Sequence, residues 1–241
     1  MTVIYEFPRE WYSFAKLSFQ LRSASQVSSR PWAGGNSIYG PHAQLFLPKL
    51  TVTTQDEDVW PAMDAFFSRL GGQAGLLRIG DASRLQPRFN RESASSVATF
   101  SDGSTFTDGS GFLSGLMPAT CILAAAASRG DISVTIGGLP VSTPRALSRG
   151  DLFEVRPNGI ASATPNLYQV MVDSATNASG QAGVEIRPPL RQGLAVGDMV
   201  VLSYPTSVFH LIDDQQAEME ITPPMLANFG FSLIEAIENA V

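Results

Sequence analysis

The imidazoles and thiols that most often serve as catalytic base, thiolate nucleophile or zinc ligand are few: two histidines, His42 and His210, and a single cysteine, Cys121. Hydrolytic chemistry needs a nucleophile, a base and a group that orients the base. The two histidines lie far apart, each in a strand-like run, and read as structural residues. No Gly-x-Ser-x-Gly elbow exists, since Gly111-Phe112-Leu113-Ser114-Gly115 has the wrong spacing. Cys121 sits in an apolar Ala/Ile/Leu run and reads as a buried, inert thiol. One cysteine and two distant histidines do not make a zinc site without carboxylate help. Residues 99–104 and 105–110 form a tandem hexad in which Asp102 and Asp108 recur. It lacks the spacing and the closing Glu of a calcium loop, so two solvated Asp-Gly turns is the simpler reading. Gly109-Ser110-Gly111 is not followed by the Gly-Lys-Ser/Thr of a phosphate loop. No catalytic, cofactor-binding or metal-ligating residue is assigned, and the expectation is a protein that is not an enzyme and carries no cofactor.

Other residues suit recognition better than reaction. Two Arg-Gly-Asp triplets, at Arg129-Gly130-Asp131 and Arg149-Gly150-Asp151, would fit an adhesion motif. The same residue types also make a turn ahead of a strand, and that reading is preferred. Trp11, Tyr12, Trp32 and Tyr39 fall in or beside segments broken by Pro31, Gly34-Gly35 and Gly40-Pro41. Aromatics with nearby arginines (Arg22, Arg30) are common anchors of protein interfaces. The alternative is that they cap their own core. Arg30, Trp32, Tyr39 and Trp11 are therefore the candidate subunit-interface residues. Segment 25–40 is too long for a tight turn and suits an arm reaching a neighbour.

The elements that must position these residues are mostly strands. The chain has 241 residues, 44% hydrophobic and 16% charged, against roughly 25% charged in an average soluble domain. That excludes a disordered chain. A net charge of −6 argues against DNA or an anionic membrane as the main partner. So little charge suggests surface covered by neighbouring subunits. The start of the chain shows neither a basic region nor a long apolar run, so a soluble intracellular product is expected. One helix is legible: acids at 55–58, then Val59, Met63, Phe66, Phe67 and Leu70 on one face, ended by Gly71-Gly72. Residues 14–22 alternate, with Leu17, Phe19 and Leu21 on one side. Residues 43–54 repeat the habit with Leu45 and Leu47 and, past Pro48, Leu50 and Val52. A hairpin over 207–222, turned at Asp213-Asp214, and a closing segment over 229–237 complete the first unit. Between them, short β runs follow Gly-Asp pairs at Gly130-Asp131, Gly150-Asp151 and Gly197-Asp198. The fold class expected is mainly β: a sandwich or sheet domain with one amphipathic helix, plus an inserted small barrel or sandwich. The boundaries expected are 1–82 with 205–241, and 83–204.

At this point the residues resemble a known family. Ser29-Arg30-Pro31-Trp32-Ala33-Gly34-Gly35 is similar to a segment of tailed-phage distal tail proteins of the siphophage or gene-transfer-agent type. So are the run from Val59-Trp60-Pro61 to Leu70-Gly71-Gly72 and the strand Leu76-Leu77-Arg78-Ile79-Gly80-Asp81. Gly150-Asp151-Leu152-Phe153-Glu154-Val155, Tyr168-Gln169-Val170 and Val184-Glu185-Ile186-Arg187-Pro188 resemble the insertion found in many of them. The likeness runs from about Tyr5 to Ile237. It implies a virion protein of the tail tip or baseplate, assembled in the host cytoplasm. It implies a ring, most simply a hexamer, joining the tail tube protein to the baseplate hub, with tape measure protein and side fibres as further partners. It implies no membrane and no specific nucleic-acid binding. The first domain would make the ring and the inserted one would project outward. In some members the second domain binds carbohydrate, so a receptor-binding role in host adsorption is the alternative. This chain departs there, having only Phe153, Tyr168 and Tyr204 as aromatics between 119 and 204.

Overall fold

The computed structural model describes residues 3–12, 14–23, 26–27, 38–39, 44–93, 97–98, 112–113, 117–157, 159, 165–214, 219–222 and 226–236. The chain divides into two compact units, Met1–Ala82 with Ser207–Val241, and Ser83–Thr206. In chain order, the first unit opens with β1 (Ile4–Glu6), β2 (Phe14–Ser23), β3 (Gln26–Val27), β4 (Ile38–Tyr39), β5 (Gln44–Thr54), α1 (Val59–Leu70) and β6 (Leu76–Gly80). The second holds α2 (Arg88–Ser93), β7 (Val97–Ala98), β8 (Phe112–Leu113), β9 (Thr120–Leu123), β10 (Ser133–Gly137), β11 (Leu152–Arg156), β12 (Asn166–Val170), β13 (Ala182–Arg187) and β14 (Met199–Val201). The chain then returns as β15 (Thr206–Leu211), β16 (Met219–Thr222) and β17 (Leu226–Glu235). The architecture is mainly β, a mixed sheet and a separate closed barrel.

The first unit is a sheet of order β1-β6-β15-β17-β5-β2, with β16 also on β17. β1 lies parallel to β6, and β2, β5 and β17 form an antiparallel core. One face carries Phe19 of β2, Phe46, Leu50 and Val52 of β5, and Phe229, Phe231 and Leu233 of β17, all buried. Helix α1 buries Met63, Phe67 and Leu70. Phe67 stacks on Phe229 and tilts onto Phe231 at 5.0 Å between ring centroids. Gly71, at φ +76°, ends the helix in the left-handed conformation that a side chain would resist.

Two details differ from the sequence reading. In β5 the inward side chains are Phe46, Pro48, Leu50 and Val52, while Leu45 and Leu47 are half-buried on the other side. Pro48 does not shift the phase, because the ladder to β2 runs through Phe19 opposite Pro48 and Gln20 opposite Leu47 without a bulge. The ladder to β17 ends at Lys49, so proline's missing N–H breaks no bond there. The Phe46 amide instead donates to Glu235 Oε2 at 3.0 Å. The expected hairpin over 207–222 also differs. β15 pairs with residues 233–235 of β17 and β16 with residues 226–229. A ten-residue strand is long enough to hold both along one edge, so no pairing between β15 and β16 is needed.

The barrel closes in the order β10-β13-β12-β11-β14-β9, every pairing antiparallel. Its interior is filled by Leu123, Val134, Ile136, Phe153, Val155, Tyr168, Val170, Val184, Ile186 and Val200, among others. Three equivalent turns lock it, at residues 128–131, 148–151 and 195–198. Their glycines, Gly130, Gly150 and Gly197, stand at φ +92°, +90° and +90°, which only glycine adopts without strain. Each glycine donates its N–H to a residue whose own N–H donates to the following aspartate's carbonyl: Leu190, Val170 and Leu123. Each aspartate side chain then accepts the N–H of the turn's first residue, at 2.7, 2.8 and 2.8 Å. Segments 123–131 and 190–198 do this reciprocally, meeting at Ala127 and Leu194.

Because each unit carries its own core, the sheet should survive without the barrel. Replacing residues 83–206 by a short Gly/Ser linker is expected to leave a folded, cooperatively melting protein by circular dichroism. Aggregation or loss of the thermal transition would show that the sheet depends on the barrel.

Candidate functional site

Trp11 is the one interface candidate whose side chain is described, and it is half-buried in its own unit. Its ring packs roughly perpendicular to those of Phe7, at 5.7 Å between centroids, and Phe66, at 5.8 Å. Arg30 and Trp32 lie outside the described residues, as do His42, Asp102 and Asp108. Tyr39 belongs to β4, whose backbone pairs Gln26 with Tyr39 and Val27 with Ile38. The β2–β5 hairpin, which ends with Ser23 opposite Gln44, is thus followed by a second short ladder within the expected arm.

His210 Nδ1 lies 2.9 Å from the Gln73 carbonyl and 3.2 Å from that of Gly75, where its N–H tethers the turn after α1. Cys121 is buried in β9, and burial pushes its thiol up to about 11. Among the described residues no group of three His, Cys, Asp or Glu gathers as a metal site would require. Both Arg-Gly-Asp triplets are the barrel's turns. Asp151 is 4% exposed, with Oδ2 accepting the Ser148 N–H and Oδ1 the Arg88 N–H. Its carboxylate is committed to the fold rather than presented to a receptor. Asp131 makes the same contact to Ser128 from an exposed position.

Two surface features of the sheet unit were not anticipated. The first is a groove of about 540 Å³ bounded by Glu10, Trp11, Val52, Thr53, Thr54, Gln55, Asp56 and Val59. Glu10 and Asp56 are exposed, and Glu57 and Asp58 follow at the start of α1. The second is a depression of about 460 Å³ on the outer face of β2, β5 and β17, around Lys16, Ser18, Lys49, Thr51, Gly230 and Ser232. Strand alternation places Lys16 and Ser18 on one side of β2. Which β5 side chains stand opposite them depends on the β2–β5 register, a pairing that no local pattern in either strand sets. No family model and no curated protein matches the chain.

Losing a buried acceptor leaves its donors unsatisfied, at a cost of about 1–3 kcal/mol for each such group. Asp151→Ala is therefore expected to lower stability by at least ~2 kcal/mol in urea unfolding, and Asp131→Ala by less than ~1 kcal/mol. Similar losses would mean that the turns do not differ in burial. For Cys121, the folded thiol holds its proton above the ordinary value of 9.0. Its contribution to stability is present below pH 9 and lost as pH rises through about 11. Tyr12, whose pKa is likewise raised by burial, adds a further loss above pH 10. Cys121→Ala is expected to flatten the fall in the urea midpoint across this window. Native protein at pH 8 is expected to resist iodoacetamide until unfolded.

Proposed function

We propose that this chain is a structural subunit of a phage tail tip, a distal tail protein whose ring joins the tail tube to the baseplate hub. The observation that carries the reading is the layout: a closed barrel inserted between β6 and β15 of a sheet whose long β2–β5 hairpin leads into a further two-stranded ladder. A self-contained sheet can assemble into a ring while the insertion varies independently. Of the residues that resemble distal tail proteins, those from Val59 onward fall on α1, on β6 and on strands and a turn of the barrel, and the 29–35 segment lies outside the described residues. The reading requires no catalytic group. It assigns the sheet unit to ring formation and the barrel to outward contacts. Phe153 and Tyr168 lie in the barrel core at 0% exposure, so neither offers a face on which a sugar could stack, and Tyr204 is half-buried. That favours a structural role over carbohydrate recognition by the barrel.

Quantitative mass spectrometry of intact particles is expected to give several copies per tail, most simply six. A single copy would overturn the ring. Trp32→Ala is expected to leave an isolated subunit with unchanged melting temperature but poor incorporation into tails. Truncating a central interface aromatic typically costs about 2 kcal/mol or more, and a ring repeats that loss at each contact. Normal assembly of the variant would remove Trp32 from the interface.

A further inference from the structure

The outer face of the sheet brings two like charges together. Lys16 pairs with Thr51 across β2 and β5, and Ser18 pairs with Lys49, so the lysines are diagonal neighbours on one face. Such diagonals stand roughly 7–8 Å apart, close enough for two ammonium groups to repel. Both side chains are exposed, and neither meets a carboxylate among the described residues. On this face Glu220, opposite Asn228, is three strands from Lys16 and two strands and four residues from Lys49. Strand spacing makes that roughly 15 Å or more, beyond the screening length of about 8–10 Å. Around the lysines stand the hydroxyls of Ser18, Thr51 and Ser232, and Gly230 leaves the floor bare, with nothing within 4 Å of where a Cβ would stand. The surface is cationic, hydrogen-bonding and recessed, on a chain whose net charge is −6.

The same unit carries the complement. The Trp11 groove offers the carboxylates of Glu10 and Asp56, the latter with Oδ1 also accepting the Asp58 N–H, with Glu57 and Asp58 beside them, and an indole packed perpendicular to Phe7 and Phe66. A lysine entering it would meet two carboxylates beside an aromatic ring. We propose that the Lys16–Lys49 face of one copy docks on the Glu10–Trp11–Asp56 groove of a second copy of this chain. The two patches share no residue and adjoin along β5, and a head-to-tail contact between them is the kind that closes into a ring when the rotation per copy allows. The inference rests on the ring reading above and supplies the surfaces that would make the ring.

The test uses the full chain and its assembly state by sedimentation velocity and native mass spectrometry, at low and high salt. Wild type is expected to associate beyond a dimer at low salt and to dissociate as salt screens the contact. Lys16→Glu/Lys49→Glu and Glu10→Lys/Asp56→Lys are each expected to weaken association at least about tenfold. The variant carrying all four changes should recover it, because the attraction is restored with its signs exchanged. If a reversed variant fails to melt like wild type, Lys16→Gln/Lys49→Gln takes its place, with weaker association expected in the same direction. Association unaffected by these changes, or no rescue, would overturn the docking surfaces. So would a chain that stays monomeric at every concentration, including one whose tryptophan fluorescence answers to a saccharide instead. None of these results bears on copy number in the particle, which judges the ring reading separately.

Discussion

Phe7 has no exposed surface, and five rings surround it: Trp11, Tyr12, Phe14, Phe66 and Phe231, at centroid separations between 5.7 and 6.0 Å. These come from the segment after β1, from β2, from α1 and from β17, so one side chain ties four parts of the first unit together. Aromatic pairs contribute about 0.5–1.5 kcal/mol each beyond the burial of their area. The sheet's outer face depends on this cluster as much as its inner face does. Packing α1 onto Phe229 and Phe231 sets which side of β17 faces water, and therefore where Gly230 and Ser232 stand. The same cluster holds Trp11 through two perpendicular ring contacts, so the indole is fixed in the wall of the groove.

Buried carboxylates do a second job in both units, finishing backbone ladders where strand pairing runs out. Glu235 accepts the Phe46 N–H with one oxygen and the Ser207 hydroxyl with the other. In the barrel, Glu154 is wholly buried, meets the Arg156 guanidinium, and accepts both the N–H and the hydroxyl of Thr206 at 3.0 Å. An acid inside a protein is tolerable only when its oxygens are engaged in this way. Several of the chain's acids are therefore framework, and the net charge of −6 overstates what the surface shows a partner. The pattern on the sheet unit matters more: lysines that meet no carboxylate among the described residues at one place, carboxylates around a tryptophan at another.

The barrel's turns show how repetition in sequence becomes repetition in space. Ser-Arg-Gly-Asp, used twice, and Ala-Val-Gly-Asp build the same hydrogen-bonded corner. The arginines are incidental to it, since the corner uses the first residue's N–H, the glycine's φ and the aspartate's carboxylate. An adhesive tripeptide and a structural turn share their letters here, and the burial of Asp151 separates the two readings.

Local chemistry decided much of this protein within the sequence alone. Apolar spacing from Val59 to Leu70 with Gly71 behind it specifies α1, and Gly-Asp before an apolar run specifies each barrel corner. These depend on contacts a few residues apart, which any chain segment carries with it. Phase and pairing were different. Whether Leu45 and Leu47 or Phe46 and Pro48 face inward depends on how β5 meets β2 and β17. Whether β15 and β16 pair with each other or with β17 depends on the length of a strand that comes later in the chain. The groove at Trp11 and the lysine pair belong to this second kind. They join residues from β2, β5, β17 and the start of α1, and what brings such residues together is burial of the aromatic core, a property of the whole unit rather than of any stretch of its sequence.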